Sequence, residues 1–469
     1  MVVLERSGDV MSLRLGELHA ADIGEAGGSP LQSSKNLKHE KSEMARGFNV
    51  MLKPRGPICN LDCKYCYYLE KEQIYPQTPF SMDIGILEKF VREYIETQPG
   101  PEVTFTWQGG EPTLVGLDYY RKAVELQHKY TRQGIRVTNA LQTNGVLLDD
   151  EWCNFFREND FLLGISVDGP AELHDAYRVD KGGRGTFLHV MRGLDCVKKN
   201  GVEYNILTTV HAANSKYPIA VYKFLRDDLD AKYIQFIPIV EKTNGTVNHE
   251  RCEVSGRSVT AGDYGEFLIQ VFEEWVSRDV GSVFVQIFDV ALAVGAGMRP
   301  GLCVFEETCG SALAMEHNGD VYSCDHFVEP GYLIGNLSDG NLLDLVSSRR
   351  QRVFGLAKAE ELPRFCRKCE VRFACHGGCP KNRFIKTPDG ELGLNYLCDG
   401  YKRFFTNIQE PIQIMVSLLK RNLPPADIMN WKAKQRITRA ESFRNTARNA
   451  RCPCGSGQKF KKCCMRNNV

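Results

Sequence analysis

Over the first 300 residues, short apolar runs rich in β-branched and aromatic side chains alternate with longer stretches of helical periodicity. Residues 49–53, 102–107, 136–142, 161–167, 203–210 and 233–238 read as strands, each apolar and most of them followed by turn-forming residues. Segments 84–97, 117–132, 187–200 and 218–228 repeat apolar positions three and four residues apart, the period of amphipathic helices. Strand–helix alternation predicts an α/β fold with a parallel sheet, and six such units predict a partial (β/α)6 barrel over residues 46–300. After the run 283–288 the pattern gives way to a cysteine-dense region. With an amphipathic closing helix at 401–420, it makes a second domain of residues 301–420. Residues 1–45 are polar and aperiodic and predict a disordered extension. Leu423-Pro424-Pro425 lies in a basic linker, 421–450, that leads to a compact cysteine motif at 451–469.

The polar motifs fall where strands end. Cys59 to Cys66 follows the first strand, Gln108-Gly109-Gly110-Glu111-Pro112 the second and Gln142-Thr143-Asn144-Gly145 the third. Ser166-Val167-Asp168-Gly169-Pro170 ends the fourth, and Ile237-Pro238-Ile239-Val240-Glu241 ends the sixth. Each alone reads as an ordinary βα turn. Five on one rim point to a site at the carboxyl edge of the sheet, where α/β folds assemble their chemistry.

Composition adds a compartment. The chain is 43% hydrophobic and 25% charged, values of an ordinary globular protein. Its net charge of +1 conceals an asymmetry: residues 431–469 carry eleven Lys/Arg against the single acid Glu441, so the rest is acidic. Eighteen cysteines could mean disulfides. The first 43 residues lack the apolar stretch of a secretory signal, and no run is long enough to span a membrane. These features predict a reduced, metal-rich, cytoplasmic protein without a membrane partner.

Cys59-Asn-Leu-Asp-Cys63-Lys-Tyr-Cys66 carries the most chemistry. Three thiolates at these spacings can turn onto one iron–sulfur cube, which normally takes four cysteines, leaving one iron open. A zinc loop would more often pair two C-x-x-C knuckles. The spacing, followed by Tyr67-Tyr68, resembles the signature of the radical S-adenosylmethionine (SAM) enzymes. That resemblance implies SAM chelated at the open iron and cleaved to a 5′-deoxyadenosyl radical.

A second set, Cys303-x5-Cys309-x14-Cys324 and Cys366-x2-Cys369-x5-Cys375-x3-Cys379 with Cys398, supplies eight thiols, enough for two four-cysteine shells. Spacing alone leaves zinc and iron both open. Order and spacing resemble the SPASM-containing radical SAM enzymes, above all the anaerobic sulfatase-maturating enzymes. The similar runs include Trp107-Gln-Gly-Gly-Glu-Pro-Thr-Leu, Leu141-Gln-Thr-Asn-Gly, Gly164-Ile-Ser-Val-Asp-Gly-Pro and Cys324-Asp325. The resemblance implies three [4Fe–4S] clusters: one on Cys59, Cys63 and Cys66, an auxiliary one on Cys303, Cys309, Cys324 and Cys379, and another on Cys366, Cys369, Cys375 and Cys398. It implies SAM contacts from Tyr65, Gly110, Ser166, Arg178 and Val240, and Asp325 as catalytic base, with a pKa its neighbourhood could tune toward that task. The activity implied is oxidation of a Cys or Ser side chain, in a Cys/Ser-x-Pro-x-Arg segment of a sulfatase, to Cα-formylglycine. A flavodoxin or ferredoxin would supply low-potential electrons. The alternatives are a SPASM maturase of a ribosomal peptide, or a non-catalytic metal-binding adaptor.

The closing motif, Cys452-Pro-Cys454 with Cys463-Cys464, resembles the SEC-C module and implies one tetrahedral Zn2+. Lys459, Lys461, Lys462 and Arg466 suggest contact with an acidic surface such as a ribosome or chaperone.

Overall fold

In a computed structural model, residues 47–76, 79–243, 254–434, 446–452, 456–463 and 465 are described. The expected N-terminal extension, Cys252, Cys454 and Cys464 lie outside the described residues.

Seven strands follow one another in parallel: β1 (Asn49–Leu52), β2 (Glu102–Trp107), β3 (Arg136–Thr143), β4 (Phe161–Ser166), β5 (Tyr204–Val210), β6 (Tyr233–Pro238) and the short β7 (Phe284–Val285). Helices such as Ile84–Thr97, Leu117–Tyr130, Phe187–Lys199 and Ala261–Arg278 make the crossovers. The six expected strands and the α/β class are present. The run 283–288 is a two-residue strand that turns directly into the helix Gln286–Gly295.

The sheet does not stop at the barrel. β8 (Ala312–Met315) pairs in parallel with the outer edge of β1, with Asn49 opposite Ala312 and Leu52 opposite Met315. β9 (Asp320–Tyr322) and β10 (Leu333–Asn336) continue it antiparallel, giving ten strands in the order β10-β9-β8-β1-β2-β3-β4-β5-β6-β7. The cysteine-dense region is thus built onto the barrel sheet through its first strand. A separate hairpin pairs β11 (Arg383–Lys386) with β12 (Leu392–Asn395).

Strand alternation divides the sheet into two faces. Phe105, Trp107, Leu141, Leu163, Ile165, Ile206 and Ile234 point to the helices and join the main core. Ala140, Leu162, Leu207 and Ile237 form a small cluster on the other face. That inner face also carries the polar ends of the strands, which leaves it fit for a ligand.

Two expectations about the carboxyl-terminal part change. The closing helix is two helices, Cys398–Asn407 and Gln409–Lys420. Pro411 lacks the N–H that would continue the first helix, so the chain breaks at Ile408 and restarts with proline in the first turn. The basic linker starts later than residue 421, because Ile428 is fully buried and Trp431 packs on the main core.

Candidate active site

The loop Cys59–Cys66 is held from two sides. Gly110 donates its N–H to the Gly56 carbonyl at 2.8 Å, and Glu111 donates to the Ile58 carbonyl at 2.9 Å. A β-carbon at Gly110 would lie 2.2 Å from the Ile58 oxygen, so only glycine permits this contact. Glu111 is fully buried and bridges strand ends. Its carboxylate accepts from the Thr113 and Thr143 hydroxyls at 2.6 and 2.7 Å and from the Asn144 N–H at 2.8 Å. On the other side the loop pairs with residues 177–180, Asp62 donating to the Val179 carbonyl and Lys64 to the Tyr177 carbonyl, each at 2.9 Å.

That second pairing delivers Arg178 to Tyr65. Asp168, fully buried after β4, accepts from Arg178 Nε at 2.9 Å and from the Tyr65 hydroxyl at 2.5 Å, while Arg178 stacks on the Tyr65 ring. Burial alone would raise the Asp168 pKa, but Arg178 and His211 outweigh it and hold the carboxyl well below the usual range. Arg178 spends only Nε on this bond; its two terminal nitrogens have no hydrogen-bond acceptor among the described residues. Ser166, at the end of β4, and Val240, after β6, are both buried. Tyr65, Gly110, Ser166, Arg178 and Val240 therefore all lie at the carboxyl edge of the sheet or on the loops pairing there.

The pairing of β8 with β1 carries Asp325 in from the cysteine-dense region. Tyr67, one residue after Cys66, donates to Asp325 at 2.6 Å, and Lys53 at the end of β1 lies 2.5 Å from the other carboxylate oxygen. Lys53 also donates to Gln108 at 2.7 Å, and Gln108 to Gln142 at 2.5 Å. This polar line crosses the ends of β1, β2 and β3. Burial pushes Asp325 up, yet Lys53 dominates and holds it well below the ordinary carboxylate value. The neighbourhood of Asp325 thus favours its ionised form. Lys381 sits 4.1 Å from the Tyr67 ring centre and completes a rim of positive charge.

No disulfide joins the described cysteines. Cys59 lies within electrostatic reach of Cys63 and Cys66. Cys309 and Cys324 each reach Cys303 and Cys379, whereas Cys375 and Cys398 each reach Cys366 and Cys369. Burial pushes the Cys59 and Cys398 thiols up to about 12, and Cys63, Cys309 and Cys375 up to about 11. Among the described residues no three Cys, His, Asp or Glu side chains converge as ligands of one ion would. Cys366, Cys369, Cys375 and Cys398 instead line one common pocket. Thiols spread around a cavity fit a multi-iron cube better than a single ion. In the tail, Cys452 and Cys463 pack on Phe460 beside the Arg451–Lys459 bridge, while their expected partners lie outside the described residues.

Comparison with known proteins agrees with this geometry. Residues 54–225 match the radical SAM superfamily, residues 303–370 an iron–sulfur cluster-binding domain (SPASM) and residues 448–466 the SEC-C motif. A serine-type anaerobic sulfatase-maturating enzyme of Bacteroides thetaiotaomicron is 47% identical over 395 residues, 82% of this chain and 95% of the relative. The chain belongs to the anaerobic sulfatase-maturating enzymes. A cysteine-type member from Clostridium perfringens is 34% identical over 76% of this chain and 95% of its own length. The solved structure of native anSMEcpe with bound AdoMet aligns with a TM-score of 0.70 at 32% identity, over 79% of this chain and 99% of that one. The enzyme is accordingly a radical SAM oxidoreductase of sulfatase maturation, with SAM and iron–sulfur cofactors. No helix among the described residues is long and apolar enough to cross a membrane.

Sequence reasoning did not single out Lys53, Glu111 or Asp168 as site residues. Each was visible as a charge at the end of an apolar strand, where a side chain must find a partner or a ligand.

Proposed function

We propose that this enzyme oxidises a Ser or Cys side chain within a Cys/Ser-x-Pro-x-Arg segment of a sulfatase to Cα-formylglycine. The observation that carries the reading is Asp325, a buried ionised carboxylate hydrogen-bonded to Tyr67 beside Cys66. Cys59, Cys63 and Cys66 would hold one [4Fe–4S] cluster, Cys303, Cys309, Cys324 and Cys379 a second, and Cys366, Cys369, Cys375 and Cys398 a third. When bound, SAM and these clusters supply a hydrogen-abstracting radical and an acceptor for the second electron.

The chain's own residues orient SAM and move the proton. The terminal nitrogens of Arg178 suit a bidentate grip on the SAM carboxylate, with Asp168 fixing the fork through Nε. Ser166 Oγ is available to ribose hydroxyls, backbone beside Gly110 to the SAM amino group, and Val240 and the Tyr65 ring to apolar parts of the ligand. Asp325 accepts the hydroxyl or thiol proton of the target residue. Its low basicity suffices because a hydroxyl or thiol on a carbon radical is far more acidic than in its closed-shell parent. Lys53 and Tyr67 hold the carboxylate in place for that transfer. A flavodoxin or ferredoxin would renew the electrons. Cys452, Cys454, Cys463 and Cys464 would bind Zn2+, and the basic tail around them would contact an acidic surface such as a ribosome or chaperone.

Anaerobic incubation of the reconstituted enzyme with SAM, a reductant and paired Ser- and Cys-containing peptides tests the reading. The expected result is a mass change matching aldehyde formation, and the preferred peptide names the target residue. Deoxyadenosine release with both peptides left unmodified would point instead to another SPASM-type substrate.

A further inference from the structure

Lys358 and Arg383 are cations placed among thiols, with no acidic partner among the described residues. Lys358 is 1% exposed and donates to the carbonyls of Cys303 at 2.7 Å and Val304 at 3.0 Å. Arg383 donates to four carbonyls: Gly377 at 3.0 Å, Lys358 at 2.6 Å, His376 at 2.8 Å and Gly378 at 3.3 Å. Among the described residues, every hydrogen-bond acceptor of both side chains is a neutral backbone oxygen. Burying Lys358, and partly burying Arg383, in that way is costly unless an anion lies close by.

The groups within reach are the thiols, which become anions as ligands of the clusters proposed above. Lys358 acts on Cys309, Cys303 and Cys379, all of one set. Arg383 acts on Cys309 and Cys379 of that set and on Cys366 and Cys375 of the other. It stands where the chain passes between the two, on the turn His376-Gly377-Gly378 that joins Cys375 to Cys379. All three turn residues have positive φ, and a β-carbon at Gly377 would lie 2.8 Å from an Arg383 terminal nitrogen.

We infer that Lys358 and Arg383 are built-in counter-charges for the auxiliary clusters, Lys358 for the one on Cys303, Cys309, Cys324 and Cys379, and Arg383 for both. The inference rests on the cluster assignment proposed above. A cube ligated by four thiolates is anionic and gains a further negative charge on reduction, so a fixed cation favours the reduced form and raises the potential. A single cation between two clusters raises both together, which keeps their potentials matched for electron passage from one to the other. Both residues are positioning residues: they touch ligand-bearing backbone, not the substrate.

The test is an EPR-monitored redox titration of the full chain carrying C59A/C63A/C66A, so that only auxiliary clusters contribute. Lys358→Met is expected to shift one midpoint downward by about tenfold in the reduction equilibrium, 59 mV for a one-electron couple, and Arg383→Gln to shift both. Arg383→Lys keeps the charge but loses the fork, and should leave both midpoints near their original values at full iron content. Two intact signals unmoved by either charge-removing substitution would overturn the inference. A shift or loss of iron in Arg383→Lys as large as in Arg383→Gln would overturn it too, leaving only a brace for the turn. Absence of any reducible cluster in the C59A/C63A/C66A parent would instead refute the cluster assignment itself.

Discussion

Asp325 works under an electrostatic constraint set by one neighbour. Lys53 keeps the carboxylate ionised, and Tyr67 fixes its direction. Asp325→Asn keeps the shape and removes the acceptor, so formylglycine yield should fall about 10²- to 10⁴-fold, the range for a positioned general base. Iron content and peptide-independent SAM cleavage should survive; an unchanged peptide turnover would remove Asp325 from the mechanism. Asp168 offers a different check, on stability. Its folded pKa lies below the unfolded value, so the stabilisation from Arg178 is complete above about pH 4 and declines as pH falls through the folded pKa. Asp168→Asn should therefore be less stable than the parent at neutral pH, with the gap narrowing on acidification. Denaturant unfolding at several pH values measures this, and a gap constant down to pH 2 would contradict the pairing.

Between elements, backbone contacts too close for any side chain set the geometry. Helices Ala261–Arg278 and Cys398–Asn407 cross through Gly265 and Gly400, where a β-carbon on Gly400 would lie 2.1 Å from the Ala261 carbonyl oxygen. One helix covers the barrel and the other begins at Cys398, so this crossing sets Cys398, the last of the eight thiols, against the barrel's helical layer. Gly400→Ala must push the helices apart, at a cost of about 1–3 kcal/mol typical of overpacking. Thermal unfolding should register the loss, and iron analysis of the reconstituted variant should show it deficient in the cluster proposed on Cys398. Gly110→Ala is a parallel case at the loop Cys59–Cys66. It drives a methyl into the Ile58 carbonyl and should cost the iron proposed at Cys59, Cys63 and Cys66, while the clusters proposed on the eight later thiols keep theirs.

For the whole molecule, the continuous ten-stranded sheet makes barrel and cysteine-dense region one structure. The chain remains packed as far as Trp431 and Lys432, the latter paired with Glu273 at 2.8 Å. A truncation meant to test the tail should therefore begin after residue 434 rather than at 431. Removing residues 435–469 should leave turnover of a short peptide unchanged and reduce maturation of a full-length sulfatase several-fold, compared by mass spectrometry of both substrates. Equal losses on the two would deny the tail a recruiting role.

Some of this was legible in the residues. Periodicity marked six strands and their helices because each buries one face on a local repeat, and a repeat needs no knowledge of distant partners. The spacing of Cys59, Cys63 and Cys66 and the strand-end positions of Gly110, Ser166 and Val240 were readable for the same reason. What lay beyond the sequence were contacts between residues far apart in the chain. The Lys53–Asp325 ion pair spans the joint between β1 and β8, and its sign of action on Asp325 depends on a distance no spacing encodes. The same holds for Arg383, an unremarkable arginine in sequence until the fold sets it among four backbone carbonyls. Local chemistry was written in the order of residues; which charge faces which was decided only when the sheet closed past its first strand.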